Sequence, residues 1–463
     1  MLKIKIGYLT LSVLMGLAAC VGVSAQQVGP PAEQSAPNQV SSASPSLTPG
    51  TQELTIDQAV LLALKNNSAV KIAEAEVRAA RARVTGSRSY EYPEVSGSMQ
   101  YEHLTKVPSF EIPALAPGVP AQPLTLTPKD NTVGAITARQ AIYTGGRVSG
   151  NISRAEALYD AALSRLGVSR AETALRTRQA FYSVLLNRAL VSSSRQNLDA
   201  AQKQLVDAQA KYDAGTAAQF DVLRAQTQVS NAEQILTQNL NRVQISMVAL
   251  NRVMWTPLDG TFTLIEPGLA SIPTNPLTSL VTDAENQRAE ILAARAQLKA
   301  AEYGIRVAKA EAYPQVGVSA SYQNIFNPNP SQVSGWVFAA NISQEIFDAG
   351  RIRSGVREAK SMRDEAEIYL ADSIAGVEQD VRQAYLNLQT GRQTLATAET
   401  SLAQAKDAHE VATVRYGAGV GTATELADAF AALAAARANV DIARFNYNVD
   451  FATLQRALGL ITY

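Results

Sequence analysis

One cysteine and two histidines in 463 residues leave no disulfide framework within the chain and argue against a zinc centre of Cys and His ligands. An excess of one charge is also missing: 41 basic residues stand against 41 acidic ones, so no bulk attraction draws the chain to nucleic acid. Aromatics are scarce at 6%, although hydrophobic residues reach 46%. Much of that apolar fraction is alanine, the best helix former, and large core-filling side chains are few. Gly145-Gly146-Arg147 and Gly350-Arg351 have no Walker pattern around them and read as strand-to-helix turns rather than phosphate loops. No nucleophile, base and orienter set emerges, so no enzymatic activity, cofactor or metal is expected. Past the first 25 residues no run approaches the roughly 20 apolar residues that a spanning helix needs. If the chain enters a membrane, it must do so with strands.

Residues 1–25 carry Lys3 and Lys5, an apolar run from Ile6 to about Val23, and Val23-Ser24-Ala25 before Gln26, the pattern of an export signal. Leu17-Ala18-Ala19-Cys20 also reads as a lipobox, with Cys20 the acylated residue; the alternative is a small apolar residue inside the signal's core. Residues 26–53 hold Pro30, Pro31, Pro37, Pro45 and Pro49 among Ser, Gln and Thr, the composition of a linker.

The remainder is written twice. Gln140-Ala-Ile-Tyr-Thr-Gly-Gly-Arg147 matches Gln344-Glu-Ile-Phe-Asp-Ala-Gly-Arg351, and Lys211-Tyr-Asp-Ala-Gly215 matches Arg415-Tyr-Gly-Ala-Gly419, both at a shift of 204 positions. Tyr92-Pro93 pairs with Tyr313-Pro314 at a shift of 221. The first copy therefore holds extra residues, and they fall in the proline-rich stretch Leu104 to Asp130, where a surface loop absorbs them. The copies span 54–256 and 276–460, with a linker over 257–275.

Each copy reads helix, strand, loop, strand, long helix, tight turn, helix. Thr55-Ile-Asp-Gln58 is a capping box opening the first helix, and the Tyr-Pro pairs end helices. Strands are expected at about 93–104, 131–143, 314–325 and 334–347. Val95, Gly97, Met99 and Tyr101 alternate with Glu94, Ser96, Ser98 and Gln100, and Trp336, Phe338, Ala340 and Ile342 mark one face of the fourth strand. The long helices run from about Val148 to Tyr212 and from about Ile352 to Tyr416, each about 100 Å at 1.5 Å per residue. Ile374, Val381, Leu388, Leu395 and Leu402 repeat every seven residues against Val377, Ala384, Gly391, Ala398, Ala405 and Ala412, a left-handed coiled-coil seam. The fold class expected is mainly α with a small β part in two structural repeats.

Four strands cannot close a membrane barrel, which needs about eight. Strand edges in lipid can be satisfied only by pooling strands from several copies, eight from two chains or twelve from three. Tyr92-Pro93, Tyr143-Thr-Gly-Gly-Arg147, Lys211-Tyr-Asp-Ala-Gly215 and Arg415-Tyr-Gly-Ala-Gly419, as an ordered duplicate, resemble the TolC-type outer-membrane efflux family over about residues 54 to 459. The resemblance implies a homotrimer in which a twelve-stranded β-barrel in the outer membrane continues into a periplasmic helical coiled-coil barrel. It implies a passive exit duct of a tripartite efflux pump or type I secretion system. The partners implied are outer-membrane lipid, a periplasmic adaptor (membrane fusion protein) and an inner-membrane efflux transporter. A different class of function, a surface-anchored coiled-coil scaffold or adhesin, would use the same heptads without a closed pore.

The candidate sites carry a bland reading beside the functional one. Tyr212, Gly215 and Thr216, with Tyr416, Gly419 and Val420, form tight turns between antiparallel helices; the resemblance makes these turns the periplasmic tip where an adaptor docks. It also makes Asp221, Glu425 and Asp428 the acidic gate, whereas acids at a helix start suit the dipole anyway. The basic residue that family members carry soon after the second turn aligns with Gly421, which removes that closing ion pair. Trp336, Phe338 and Ile342 are read as lipid-facing, the alternative being sheet core. His409 falls on the seam row continuing from Leu402, as a packed histidine rather than a metal ligand.

Overall fold

In the computed structural model the residues described are 52–107, 109–112, 122–125, 128–269, 275–326 and 334–460. The export segment 1–25, Cys20 and most of the 26–53 linker lie outside them. Chain order is β1 (Gln52–Leu54), α1 (Ile56–Asn66), α2 (Ser68–Arg88), β2 (Glu94–His103), β3 (Ser109–Ile112), β4 (Gln122–Thr125), β5 (Asp130–Tyr143), α3 (Arg147–Asp213) and α4 (Gln219–Met254) in the first repeat. The second holds β6 (Phe262–Leu264), α5 (Leu277–Gln287), α6 (Ala289–Ala310), β7 (Gln315–Ile325), β8 (Gly335–Ser343), α7 (Arg351–Gly417) and α8 (Ala423–Ala457).

Several of these elements differ from the sequence expectation. The linker expected over 26–53 ends in β1, and the one over 257–275 contains β6; the two strands pair in parallel from Gln52↔Phe262 to Leu54↔Leu264. The loop expected from Leu104 to Asp130 carries the antiparallel hairpin of β3 and β4. The fourth strand stops at Ser343, four residues short.

The single opening helix of each copy is two helices. Thr55 caps α1 with the reciprocal bonds of a capping box, but the chain leaves helical geometry at Asn67 (ψ 136°) and, at the equivalent position, Arg288 (ψ 125°). Both break residues do the same job. Asn67 Nδ2 donates to the Val253 carbonyl at 2.8 Å, and Arg288 Nη1 donates to the Ala457 carbonyl at 3.0 Å. Val253 and Ala457 are repeat equivalents at the C-terminal ends of α4 and α8, whose last carbonyls have no intrahelical partner.

α3 and α7 each span 67 residues, about 100 Å at 1.5 Å per residue. Both start from a left-handed glycine, Gly146 (φ 90°) and Gly350 (φ 89°), and Asp348 accepts from the amides of Gly350 and Ile352 to cap α7. Backbone contact held by these bonds keeps the Asp348 carboxyl below its ordinary pKa. The heptad rows pack as their spacing requires: Val377, Val381, Ala384, Leu388 and Leu395 are buried, as are Val184, Val191, Ser194, Ala201 and Ala208. Each repeat builds an equivalent core of its own. Phe181, Val184, Leu250 and Met254 in one correspond to Tyr385, Leu388, Leu454 and Leu458 in the other.

Packing sets one lateral order at every level. The sheet runs β2-β5-β7-β8; below it α2, α3, α6 and α7 lie side by side, and further down α4, α3, α8 and α7 do. The free edges are β2, α2 and α4 on one side and β8 and α7 on the other. Both helix edges expose apolar side chains, among them Phe220, Ile235 and Ile245 on α4 and Ile368, Tyr369 and Val414 on α7. Among the described residues no helix is long and apolar enough to cross a membrane.

Arg288 is 4% exposed and gathers charge around the second break: it pairs with Glu290 at 2.9 Å and Asp380 at 3.1 Å, while Arg456 reaches the same two acids at 3.0 Å each. Burial works against the Glu290 carboxylate, but bonds and charge from Arg288, with Arg456 adding, hold its pKa below the ordinary value. A carboxyl whose folded pKa is lowered stabilises the fold above its unfolded value near 4.3 and loses that contribution as the pH falls through the folded one. In denaturant unfolding followed by circular dichroism, Arg288→Met is expected to lose about 3 kcal/mol and Asn67→Ala about 1 kcal/mol. The pH dependence below 4.3 should weaken in Arg288→Met alone.

Candidate functional site

Two regions hold the residues singled out from the sequence: the four-stranded sheet and the turns between the long helices. In the sheet the register fixes which side chains share a face. Val95 sits opposite Ala138, Gly97 opposite Ile136 and Met99 opposite Gly134. Across the next seam Ala138 faces Ala320 and Ile136 faces Tyr322, and then Ala320 faces Phe338, Tyr322 faces Trp336 and Val316 faces Ile342. Because strand side chains alternate, one apolar surface crosses all four strands. Trp336, Phe338 and Ile342 lie on it and are 64%, 68% and 75% exposed. Trp336 stacks on Phe338 with centroids 6.0 Å apart and lies 5.3 Å from Tyr322. The opposite face carries Ser96, Ser98, Gln100, Thr137, Ser319 and Ser321. Among the described residues no helix packs against either face of the sheet, and these three side chains stand exposed within one chain.

At the far end, the turns from α3 to α4 and from α7 to α8 have the same construction. The amides of Thr216 and Val420 reach back to the carbonyls of Lys211 and Arg415 at 2.9 and 3.0 Å, and Gly215 and Gly419 take φ of 71° and 75°. This is the helix-ending motif that requires a left-handed residue. The Gly421 amide also bonds the Arg415 carbonyl at 3.0 Å, and a Cβ there would lie 3.0 Å from Arg415 Cβ and 3.1 Å from Tyr416 N. A side chain at 421 would therefore require this turn to give by a few tenths of an ångström.

The acids are placed differently from one another. Glu425 is the third helical residue of α8 and completes a capping box with Thr422, with bonds of 3.4 and 3.2 Å; Arg415 Nη2 stands 3.9 Å from it, both groups half exposed. Asp428 is exposed one turn on. Asp221 opens α4 and stands close enough to Tyr416 to contribute to its phenol's raised pKa, of which burial is the larger cause and Asp207 a further one.

The feature that sequence reading missed joins the two turns. Lys211 Nζ donates to the Tyr416 carbonyl at 2.8 Å and lies 3.6 Å from the centre of its ring, a cation over an aromatic face. Arg224 Nη1 donates to Thr424 Oγ1 at 2.7 Å beside it. Lys211 and Tyr416 both stand in the repeated turn motif, but nothing in spacing says that one copy's lysine clasps the other copy's tyrosine. His409 packs against Phe430 of α8 at 6.0 Å, and burial, with Arg437, lowers its pKa. Among the described residues no three His, Cys, Asp or Glu side chains group to hold a metal ion.

Residues 60–254 and 280–460 match the family described as outer membrane efflux protein. The cobalt-zinc-cadmium resistance protein CzcC of Cupriavidus metallidurans is 26% identical over 64% of this chain and 70% of its own length. The outer membrane protein TolC of Vibrio cholerae is 24% identical over 62% and 68%. The outer-membrane channel OprN superposes with a TM-score of 0.75 at 19% identity, covering 87% of this chain and 89% of that one.

Lys211→Met is expected to speed amide exchange in the Arg415–Gly421 turn roughly tenfold, a loss of about 1–2 kcal/mol. Unchanged exchange, measured by mass spectrometry, would show that the clasp does not hold the turn.

Proposed function

Because the chain belongs to the outer membrane efflux protein family, and is a non-enzymatic outer-membrane channel of efflux and type I secretion systems that extends into the periplasm, we propose that three copies close one duct. Members of the family form trimeric channels within tripartite pumps. The observation that carries the reading for this chain is the coincidence of free edges. At sheet, upper helix and lower helix level the same two flanks are open, and joining β8 and α7 of one copy to β2, α2 and α4 of the next satisfies all of them at once. Three chains give twelve strands, in the range of membrane barrels. The apolar surface bearing Trp336, Phe338 and Ile342 then meets lipid, and the serine- and glutamine-rich face lines the pore.

The repeat predicts the register of the seam. Within the chain, Gly150 of α3 faces Val307 of α6, where a Cβ on Gly150 would come within 2.9 Å of Val307 Cγ2. The equivalent positions are Ser354 of α7 and Gly86 of α2, both exposed in one chain. Across the seam the bulk is exchanged: the small residue gains a hydroxyl and the valine becomes a glycine.

At the periplasmic end the paired turns form the tip on which a periplasmic adaptor docks, through Tyr212, Gly215, Thr216, Tyr416, Gly419 and Val420. An inner-membrane transporter supplies the energy, and the duct is passive. Asp221, Glu425 and Asp428 from three copies converge there on one axis. Lys211 on Tyr416 holds the two turns of one chain, and its repeat equivalent, Arg415, meets Tyr212 of the next copy. Six basic–aromatic contacts then replace the ion pair that Gly421 cannot make.

Two measurements test this. Gly86→Cys combined with Ser354→Cys should cross-link copies into heat-stable trimers in detergent; bands no larger than dimers would rule out three-fold closure. In planar bilayers Glu425→Ala with Asp428→Ala should raise single-channel conductance and weaken block by divalent cations, and conductance equal to wild type would remove the gate assignment.

A further inference from the structure

Arg353, Arg357 and Lys360 follow one another on α7 at steps of four and three residues, successive turns of one helix face. With Lys309 and Tyr313 of α6 they line an open cleft of about 1050 Å³ at the end of the helices nearest the sheet. In the first repeat the equivalent positions are Ser149, Ser153 and Glu156 on α3 and Arg88 on α2, and Arg88 pairs with Glu156 at 2.6 Å. The second repeat carries a cation at each of the three α7 positions, so Lys309 and Lys360 share a cleft where the other repeat has an ion pair. The acids nearby are committed or turned away. Glu311 pairs with Arg351 at 2.6 Å, and Glu345 also acts on Arg351. Asp348 accepts from the amides of Gly350 and Ile352, and Asp364 stands 3.0 Å from Arg363. Glu358 lies about 100° or more around the helix from all three α7 cations. Among the described residues none of Lys309, Arg353, Arg357 and Lys360 makes an ion pair.

Chirality decides which side of α7 these cations take. The Phe326 amide donates to the Thr132 carbonyl at 2.9 Å, so the even-numbered residues of β5, whose side chains share the Trp336 face, turn their peptide groups toward β7. For L-residues this places β7 to the left of β5, seen from that face with α3 running downward. α6 leads into β7 and lies on the same side of α3, where Gly150 faces Val307. A right-handed helix then sets Ser149, Ser153 and Glu156 on the side continuous with the Trp336 face, and their equivalents Arg353, Arg357 and Lys360 with them. The cleft thus opens directly below the apolar surface of the sheet. Next in sequence to its wall at Asp348 come Ile346 and Phe347, which are 97% and 87% exposed.

We propose that this cleft binds the phosphodiester of an anionic phospholipid in the leaflet nearest the helices. Arg353 and Arg357 take the phosphate, Lys309 and Lys360 reach it from below, and the acyl chains rise past Phe347 and Ile346 to the apolar sheet. Side chains on a helix lean toward its N-terminus, which on α7 is toward the membrane. Arginine matches phosphate oxygens with paired donors, and basic pockets at headgroup depth select anionic lipids. The inference rests on the duct reading, which gives the Trp336 face to lipid.

The test is native mass spectrometry of the full-length protein in detergent, titrated with dioleoyl phosphatidylglycerol, with dioleoyl phosphatidylcholine and with inorganic phosphate. The trimer should retain up to three phosphatidylglycerols, at least tenfold more tightly than phosphatidylcholine, and millimolar inorganic phosphate should not displace them. Arg353→Ser, Arg357→Ser and Lys360→Glu together, which copy the first repeat's own residues, should abolish the preference, and Lys360→Glu alone should weaken it several-fold. Lys406→Glu, about 70 Å further along α7, should leave it unchanged, which separates the cleft from bulk charge. Equal retention of the two lipids, displacement by inorganic phosphate, or a preference untouched by the triple variant overturns the proposal. Cross-linking through Gly86→Cys and Ser354→Cys reports closure without lipid, so a trimer that forms yet holds both lipids alike refutes this inference and leaves the duct reading intact.

Discussion

A strand edge in hydrocarbon presents backbone donors and acceptors that only another strand can satisfy, and this chain has two such edges, β2 and β8. Each unmade bond costs several kcal/mol in lipid, far more than any side-chain preference in the sheet could offset. The rest of the architecture is arranged around that constraint. The helices below keep the sheet's lateral order, so that the edges line up from the membrane to the tip.

Duplication lets one chain supply two sectors of a ring, but the copies are not identical, and their differences track what each sector must hold. The break between the short helices is stabilised by Asn67 in one copy and by Arg288 with its acids in the other. The amide meets a single carbonyl; the guanidinium binds a carbonyl and two carboxylates, tying α6, α7 and the end of α8 together. Glycine behaves the same way. Gly145 faces the Ala310 carbonyl so closely that a Cβ would lie 2.7 Å away, whereas its counterpart Ala349 carries one at φ 53°.

The tip combines structural and functional demands in the same side chains. Glu425 caps its own helix through Thr422, so its carboxylate is oriented by local backbone before any neighbour is considered. Acids at helix starts are stable there because of the dipole, and under the proposed three-fold closure the same placement would set them on a common rim. Local stability and convergence of charge are therefore not competing readings of Glu425 and Asp221, since the first positions the group for the second.

Periodicity and self-comparison determined much of this protein. The two repeats, the extent of α3 and α7, the seam rows from Ile374 to Leu402, the turn glycines and the alternation that puts Trp336, Phe338 and Ile342 on one face are all local or nearly local properties, set by 3.6-residue and two-residue geometry. Of the two breaks, Asn67 carries a local signal, being the cap of α2 whose Oδ1 accepts from the Ala69 amide at 2.8 Å; Arg288 carries none, and its bond runs to a carbonyl 169 positions away in sequence. β1 and β6 were hidden for a related reason, being three-residue strands too short to show a period. The clasp of Lys211 on Tyr416 and the cleft beside Lys360 depend on which helix lies next to which, and lateral order is decided by packing between elements hundreds of residues apart, a quantity that no window of sequence contains.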